Sequence, residues 1–310
     1  MLTTLVFSIM AALAVPVDRA CGGCVETPQA PRLTPAEVAH SLLAADRAFA
    51  AAGATRDMRS AMTPMFASGV MMPRPTGGFA VGKADVLAAL LASPGASASR
   101  VTWQPVRAGV SADGMHGFTF GYMMQQSADG IRVPFKYLAY WVRDAGVWRV
   151  MAYRRGRAPG PASDTAVMAP ALPARLVAAG GEDAALTRLR HDLMNAENSF
   201  SARAQAVGLG SAFAEFGSSD AVNMGGPQSV HFVVSAANIA QQVGGTDQTA
   251  SPVTWSADTA IVASSGDLGI TFGIIRPKNP APGSAPGAGT PFFTIWRRAS
   301  PTAPWRYIAE

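Results

Sequence analysis

Two stretches of the chain carry apolar residues at helical spacing on one face. The first stripe consists of Val38, Leu42, Ala45 and Phe49, and the second of Leu186, Leu189, Leu193 and Phe200. Before the first stripe, Thr34 is a suitable N-cap, and Pro35 with Glu37 completes the pattern of a helix start. Gly53 and Gly208 follow the two stripes. Each stretch therefore predicts a long amphipathic helix that ends at a glycine.

Two later stretches alternate between apolar and polar residues and are similar to each other. Aligned without a gap, Val101–Gly121 and Val253–Gly273 share ten of twenty-one residues, whereas composition alone would give about two. The shared residues are Val-Thr-Trp, an alanine and a valine, a glycine, and then Gly-x-Thr-Phe-Gly. This pattern predicts a strand, a tight turn and a second strand, so the same β-hairpin occurs twice.

The correspondence extends over about 120 residues, which indicates duplicated domains rather than a solenoid. Each copy also predicts a short second helix, a strand and a third helix before the hairpin. These are Asp57–Met62, Val70–Met72 and Ala84–Leu91 in the first copy, and Ser211–Phe216, Ala221–Asn223 and Ala236–Val243 in the second. We predict domains at residues 34–156 and 184–310, joined by a Pro/Ala-rich linker at 157–183.

The N-terminal residues 1–33 differ in composition from the rest of the chain. Met1–Val17 has no charged side chain and contains an apolar run followed by small residues. This predicts a signal peptide cleaved after Ala14, hence a periplasmic or secreted protein, with a short uncleaved anchor as the alternative. Cys21 and Cys24 follow, and we interpret this part as a tether with an incidental or disulfide-bonded cysteine pair.

Charge and composition exclude several classes of protein. The net charge is +5, but the basic residues are scattered and only Arg154-Arg155-Gly156-Arg157 forms a cluster, so we expect no nucleic-acid binding. The charge favours solubility and some affinity for anionic partners. Beyond the N-terminus no uncharged apolar run reaches the roughly 18 residues of a membrane span. The histidines lack metal-ligand spacing and no phosphate-binding glycine loop occurs, so we predict neither a metal nor a cofactor.

The order of predicted elements, together with a set of recurring residues, resembles a known superfamily. In the first copy these residues are Asp46, Phe49, Trp103-Gln104-Pro105, Ser111–Gly114, Gly117–Gly121, Tyr140-Trp141 and Trp148-Arg149. They resemble the SnoaL-like, nuclear transport factor 2-like domains of the ketosteroid isomerase-like superfamily, in a branch of exported bacterial proteins. The resemblance covers residues 34–155 and 184–310. It implies an α+β fold of two tandem cones, each a curved antiparallel sheet around the long first helix, packed as a pseudo-dimer.

The superfamily includes isomerases, cyclases, dehydratases and binding modules, so function has to be argued from the site. The resemblance implies that an isomerase would carry a proton-abstracting aspartate on the strand after the second helix. That strand has Val70-Met71-Met72-Pro73 in the first copy and Val222-Asn223-Met224 in the second. Because neither contains a carboxylate, we expect no isomerase chemistry of that kind, and an enzyme is not the favoured interpretation.

One acid recurs on the first helix of each copy. Asp46 and Glu197 each precede the stripe phenylalanine by three residues, which places them on or beside the apolar face. A functional interpretation is a carboxylate inside the cone whose raised pKa suits a base or a ligand anchor. The structural interpretation is a buried acceptor for backbone N–H groups or an indole. We favour the structural interpretation, because the acid recurs while catalytic positions around it do not.

Aromatic residues supply the remaining candidates for a pocket. Trp103 and Trp255 recur in register on strands, where large residues mostly fill the core. The first copy adds Tyr122, Lys136 and Tyr137, whose counterparts in the second are Ile274, Pro291 and Phe292. If either cone binds a polar ligand, this difference favours the first copy.

Three functions are compatible with these observations. The favoured one is an exported protein with a non-catalytic role, binding a small apolar ligand or serving as an accessory, in which fusion replaces a dimer of single cones. The second is an isomerase, cyclase or dehydratase acting in the first domain. The third is a protein-interaction module that uses the open sheet faces.

Overall fold

A computed structural model describes residues 33–93, 95–244, 249–283, 285 and 288–310 of the protein. The predicted signal peptide, the cleavage point after Ala14, and the cysteine pair Cys21 and Cys24 lie outside the described residues. Within the described residues, no helix is both long enough and apolar enough to cross a membrane. Residues from 33 onward form one compact unit.

The first half contains three α-helices and six strands among the described residues. The helices are α1 (Pro35–Thr55), α2 (Met58–Met62) and α3 (Lys83–Leu90). The strands are β1 (Phe66–Pro73), β2 (Phe79–Val81), β3 (Arg100–Val110), β4 (His116–Gln126), β5 (Arg132–Asp144) and β6 (Val147–Arg157). The predicted capping box starts α1, because Thr34 N donates to Glu37 Oε2 over 2.6 Å and Glu37 N donates to Thr34 Oγ1 over 3.3 Å.

The second half repeats this order. Its helices are α4 (Asp183–Val207), α5 (Leu209–Phe216) and α6 (Ala236–Gly244). Its strands are β7 (Gly217–Asn223), β8 (Val233–Val234), β9 (Val253–Val262), β10 (Leu268–Pro277), β11 (Thr290–Arg297) and β12 (Arg306–Ala309). The strands therefore appear in the predicted sequence of hairpins, and α4 ends at Gly208, whose φ of 86° lies in the region that favours glycine.

The two sheets have the same topology. The strand orders are β2-β1-β6-β5-β4-β3 and β8-β7-β12-β11-β10-β9. Most neighbours are antiparallel, but β1 pairs with β6 in parallel and β7 pairs with β12 in parallel. Each sheet is thus the predicted antiparallel sheet with one added parallel pair, which the sequence did not predict. The parallel pair is possible because the third helix and four strands lie between its strands along the chain, which gives the long connection that parallel strands need.

The two faces of each sheet contact different partners, because successive side chains of a strand point to opposite faces. In β4, Met123 belongs to the core around α1, whereas Phe118 and Phe120 point toward the second half. The outer faces of both sheets form one apolar cluster, which includes Val106, Phe118, Phe120, Leu138, Tyr140, Val222, Ile270, Phe272, Phe293, Ile295 and Ile308. The halves therefore pack sheet against sheet, as the predicted pseudo-dimer requires.

The segment between the halves follows the edge of the first sheet. Met168 N donates to Val106 O over 2.7 Å, and Ala171 N donates to Ala108 O over 2.9 Å. Val110 N donates in turn to Ala171 O over 3.1 Å. Backbone groups of edge strand β3 are satisfied in this way, so the Pro/Ala-rich part of the chain is attached to the fold.

Candidate functional site

The recurring acids of the two first helices are buried and bonded to indoles. Asp46 is 0% exposed and Glu197 is 1% exposed. Trp103 Nε1 donates to Asp46 Oδ1 over 2.6 Å, and Trp255 Nε1 donates to Glu197 Oε1 over 2.7 Å. The geometry is the one expected for the structural interpretation, in which the acid accepts from an indole.

The second oxygen of each acid has different partners in the two halves. Tyr137 OH donates to Asp46 Oδ2 over 2.8 Å. Glu197 Oε2 accepts from Thr271 Oγ1 at 2.6 Å and from Trp296 Nε1 at 3.0 Å. Burial raises the pKa of both carboxyl groups, and the donated hydrogen bonds oppose this rise. Each acid is thus held by donors on both oxygens.

Aromatic side chains fill the interior of the first half around Asp46. Tyr137 and Tyr153 are 2% and 1% exposed and stack with their ring centroids 6.4 Å apart. Phe66 meets the Tyr153 ring edge-on at 5.7 Å, and the Tyr153 hydroxyl lies 3.7 Å from Met123 Sδ. Asp46 and Tyr137, both predicted pocket residues, therefore bind each other in a packed core.

A cavity lies inside the second half. Its volume is about 260 Å³. Its walls are mostly apolar and include Phe200, Leu209, Phe213, Val243, Val253, Trp255, Ile275 and Phe292. The polar residues that line it are Arg154, Glu197, Asn223, Thr294 and Glu310. Of the predicted pocket residues, the structure brings Glu197 and Trp255 together at this cavity.

The cavity exists because the second half has smaller or more polar side chains at positions where the first half has large apolar or aromatic ones. The last strands of the two halves, β6 and β12, align at Trp148 and Trp305. Glu310 therefore lies at the position that Tyr153 has in the first half. Two further positions follow the same trend. In the sheet, Asn223 lies at the position of Met72. When the third helices are aligned at their first residues, Val243 lies at the position of Leu90. Smaller or more polar side chains at these three places open one interior and leave the other packed.

A network of fixed hydrogen bonds holds Glu310 at the cavity wall. Its Oε1 accepts from Asn223 Nδ2 at 2.6 Å, and Asn223 Oδ1 accepts from Gly225 N at 2.5 Å. The backbone of Glu310 is also tied to β7, since its N–H donates to Val222 O over 3.1 Å and its carbonyl accepts from Met224 N at 3.0 Å. Among the described residues, Glu310 Oε2 has no hydrogen-bond partner.

Electrostatics make Glu310 a titratable group in the neutral range. Burial raises its pKa to about 7, and the nearby charge of Glu197 acts in the same direction. The bond from Asn223 and the positive charge of Arg154 oppose the rise. Arg154 belongs to β6, so the first half contributes a side chain to the cavity of the second.

Tyr122 and Lys136 do not lie inside the first cone. Tyr122 OH is 3.3 Å from His231 Nδ1. Lys136 Nζ donates to Ser229 O over 2.6 Å and to His231 O over 3.1 Å, and burial lowers its pKa to about 8. Both residues occupy outward-facing positions of β4 and β5, where they contact the second half. Strand alternation explains why they do not share an interior with Tyr137.

Sequence reasoning did not select Glu310 or Arg154 as site residues, and it named Asn223 only as part of a strand that lacks a carboxylate. A signal for Glu310 was present, because the aligned Trp-Arg motifs place it opposite an aromatic residue of the first copy. Arg154 gave no such signal, since its role depends on how the halves pack. Among the described residues, no group of three or more His, Cys, Asp or Glu side chains is arranged to hold a metal.

The order of helices and strands in each half is the one predicted from the sequence. No family model matches the chain, and no curated protein matches it significantly. Solved structures are similar to one half at a time. A ketosteroid isomerase-like protein from Erwinia carotovora atroseptica is 18% identical, covers 38% of this chain and 97% of its own, and has a TM-score of 0.31.

Two further structures are similar to the same extent. The CaMKII hub of S. rosetta is 22% identical over 39% of this chain and 96% of its own, with a TM-score of 0.31. An NTF-2 like protein of unknown function from Shewanella oneidensis MR-1 is 12% identical, covers 39% of this chain and 98% of its own, and has a TM-score of 0.30. These similarities concern the fold alone.

Proposed function

We propose that this is an exported binding protein whose second half holds a small, largely apolar molecule. The observation that carries the proposal is the cavity of about 260 Å³, which is apolar on most sides and has Glu310 and Arg154 at its polar side. Such a combination is typical of small-molecule sites. A cavity of about 150 Å³ can hold benzene, so a ligand of roughly ten non-hydrogen atoms is the expected size.

The first half has a supporting role in this proposal. Its interior is packed around Asp46 and Tyr137, and its outer face covers the sheet of the second half. It also provides Arg154 to the cavity. The fusion therefore replaces the second subunit of a dimer, while only one of the two cones binds the ligand. The outer sheet faces cover each other, which disfavours a protein-interaction module built on open sheets.

Filling the cavity tests the proposal. Val243 lines it, and Val243→Phe adds a ring to its interior, whereas Val234 is exposed on β8 and Val234→Phe leaves the interior unchanged. We expect benzoate, phenol, indole or cyclohexanone to raise the melting temperature of the wild type and of Val234→Phe. Val243→Phe should not respond. Equal responses of the two variants would place binding outside the cavity.

An acid–base enzyme in the second half is the other candidate, and Glu310 is the observation that favours it. Among the described residues its Oε2 has no hydrogen-bond partner, while Asn223 holds the Oε1 of the same carboxyl group. With a pKa of about 7, this carboxyl group fits a general base. Replacement of Glu310 by Gln keeps the hydrogen bond to Asn223 possible and removes the base. A binding protein should retain its ligand affinity in this variant, whereas an enzyme should bind its substrate and lose turnover by about a hundredfold or more.

A further inference from the structure

A second, larger depression lies where the segment between the halves passes the second half. Its volume is about 740 Å³, and it opens between residues 172–177, the turn that contains Asp267, and the ends of β11 and β12. Four arginines line it, namely Arg175, Arg297, Arg298 and Arg306, with Asp220 and Asp267 as its acids. We refer to it as the arginine groove. It shares no lining residue with the cavity of the second half.

Two of the arginines form a like-charged pair across neighbouring strands. Arg297 of β11 lies directly opposite Arg306 of β12 in the register of the sheet. Like charges at opposed positions destabilise a sheet unless other charges compensate. Arg306 Nη1 donates to the Glu215 carbonyl, and among the described residues the other guanidinium nitrogens of Arg306 have no partner. A pair of this kind at the wall of a groove is suited to an anion that contacts both side chains.

The acids of the groove compensate the charge of Arg297 only from a distance, because their hydrogen bonds and their ion pair are made with other groups. Asp220 forms an ion pair with Arg107, which also donates to the Asp220 carbonyl over 2.6 Å. Asp267 accepts from the backbone N–H of Ala112 at 3.1 and 3.0 Å, and from Ser265 Oγ at 2.5 Å. Their direct contacts therefore hold the two halves together and leave the Arg297 guanidinium without a bonded carboxylate among the described residues.

Arg297 is left without an acceptor among the described residues. No hydrogen bond or ion pair within 4.0 Å joins its guanidinium to another described residue. The side chain is half-buried, and burial lowers its pKa, while the nearby charges of Asp267 and Asp220 oppose that decrease. Arg298, its neighbour in sequence, differs, because it donates to Gly266 O over 2.6 Å and to Asp192 Oδ2 over 2.8 Å. Arg298 is thus part of the fold, whereas Arg297 is available to a ligand.

We propose that the arginine groove binds a small phosphate ester, with the phosphate held by Arg297 and Arg306 and additional contact from Arg175. Guanidinium groups bind phosphate oxygens in bidentate fashion, and two on adjacent strands provide more than one such contact. The groove volume is within the range of small-molecule sites and exceeds what a bare phosphate ion needs. The remaining space accommodates the organic part beside Leu172 and Pro304.

Calorimetric titration of the full chain with phenyl phosphate and with inorganic phosphate tests this site. We expect phenyl phosphate to bind more tightly than inorganic phosphate, and both affinities to fall as sodium chloride is added. Arg297→Gln should weaken binding by roughly tenfold or more, as expected when a charge-assisted bidentate pair is lost. Arg276→Gln, a half-buried arginine of β10 outside the groove, should bind as the wild type does.

Two further variants serve as controls, one for misfolding and one for binding at the cavity of the second half. Arg175 is exposed, so Arg175→Gln should fold normally and weaken phenyl phosphate binding, although less than Arg297→Gln. Val243→Phe, which fills the cavity of the second half, should leave phenyl phosphate binding unchanged. The cavity is tested by Val243→Phe and the arginine groove by Arg297→Gln, so either proposal can fail without the other. Binding that is equal in Arg297→Gln, Arg276→Gln and the wild type, or undetectable in the wild type, would overturn the arginine groove as a phosphate site.

Discussion

At the scale of single residues, both halves have a buried acid bonded to an indole, but only the second half has the cavity described above. An acid on the first helix accepts from a strand tryptophan in both, and the sequence allowed this to be predicted because the acid and the indole recur in register. The location of the cavity could not be predicted in the same way. It depends on volume differences at Glu310, Asn223 and Val243, which lie far apart in the chain and meet only in the folded state.

Loss of the Asp46 carboxylate should destabilise the protein. Asp46→Ala leaves the Trp103 indole N–H and the Tyr137 hydroxyl buried without their acceptor. We expect the free energy of unfolding to fall by about 3 kcal/mol, since unsatisfied buried donors are costly. Urea unfolding followed by tryptophan fluorescence measures this change. The control is Asp85→Ala on the surface, where the ion pair with Arg74 is exposed and the change should stay below about 0.5 kcal/mol.

Glu310 should make stability depend on pH in a defined direction. Its pKa in the folded protein is about 7, above its ordinary value of 4.5. Between these values the folded state keeps a proton that the unfolded state has released, so the free energy of unfolding falls as pH rises from 4.5 to 7 and then levels off. The total contribution is about 3 kcal/mol.

Comparison with Glu310→Gln isolates this contribution, because Asp46 and Glu197 also have raised pKa values and act in the same direction. The difference in unfolding free energy between wild type and variant should change across this interval and be constant above it. A difference that does not vary with pH would show that Glu310 titrates at its ordinary pKa.

At the scale of elements, the glycines of the repeated hairpin explain how each sheet bends. Gly121 and Gly273 each lie next to a β-bulge of the opposing strand. A Cβ built on Gly273 would overlap the carbonyl oxygen of Ser256, and one on Gly121 would overlap that of Gln104. The sequence predicted the hairpins from alternation and recurring glycines. It gave no sign of the bulges or of the parallel pairing of β1 with β6, because both depend on how distant strands meet.

Replacement of Gly273 by alanine tests this explanation. The added methyl group would collide with backbone, which cannot move aside as a flexible side chain can, so we expect a loss of about 3 kcal/mol or more. Gly226→Ala is the matched control, because nothing lies within 4 Å of a Cβ built there. Thermal and urea unfolding of both variants measure their stability relative to the wild type. A Gly273→Ala variant as stable as its control would mean that the bulge tolerates a side chain.

At the scale of the whole molecule, the outer sheet faces turn two domains into one unit. Phe272 meets Phe79 across the interface at 5.9 Å, and Phe120 meets Phe232 at 4.6 Å. The duplication in the sequence predicted a pseudo-dimer. Strand alternation alone did not show which polar side chains would lie at the interface between its halves. Tyr122 and Lys136 therefore became candidates for a pocket, although they contact the second half.

Cleavage between the halves should leave them associated. A protease site inserted between Gly180 and Gly181, where a Cβ would meet nothing within 4 Å, permits a cut without disturbing packing. We expect the cut protein to elute in gel filtration as one species of unchanged size, because the apolar cluster of both sheets holds it together. Phe272→Asp places a charge in that cluster and should make the cut fragments separate or aggregate, whereas Val147→Asp, at a position 46% exposed, should not. If the cut wild-type fragments separate, the connecting segment rather than the sheet interface holds the halves, and Arg154 would no longer reach the cavity of the second half.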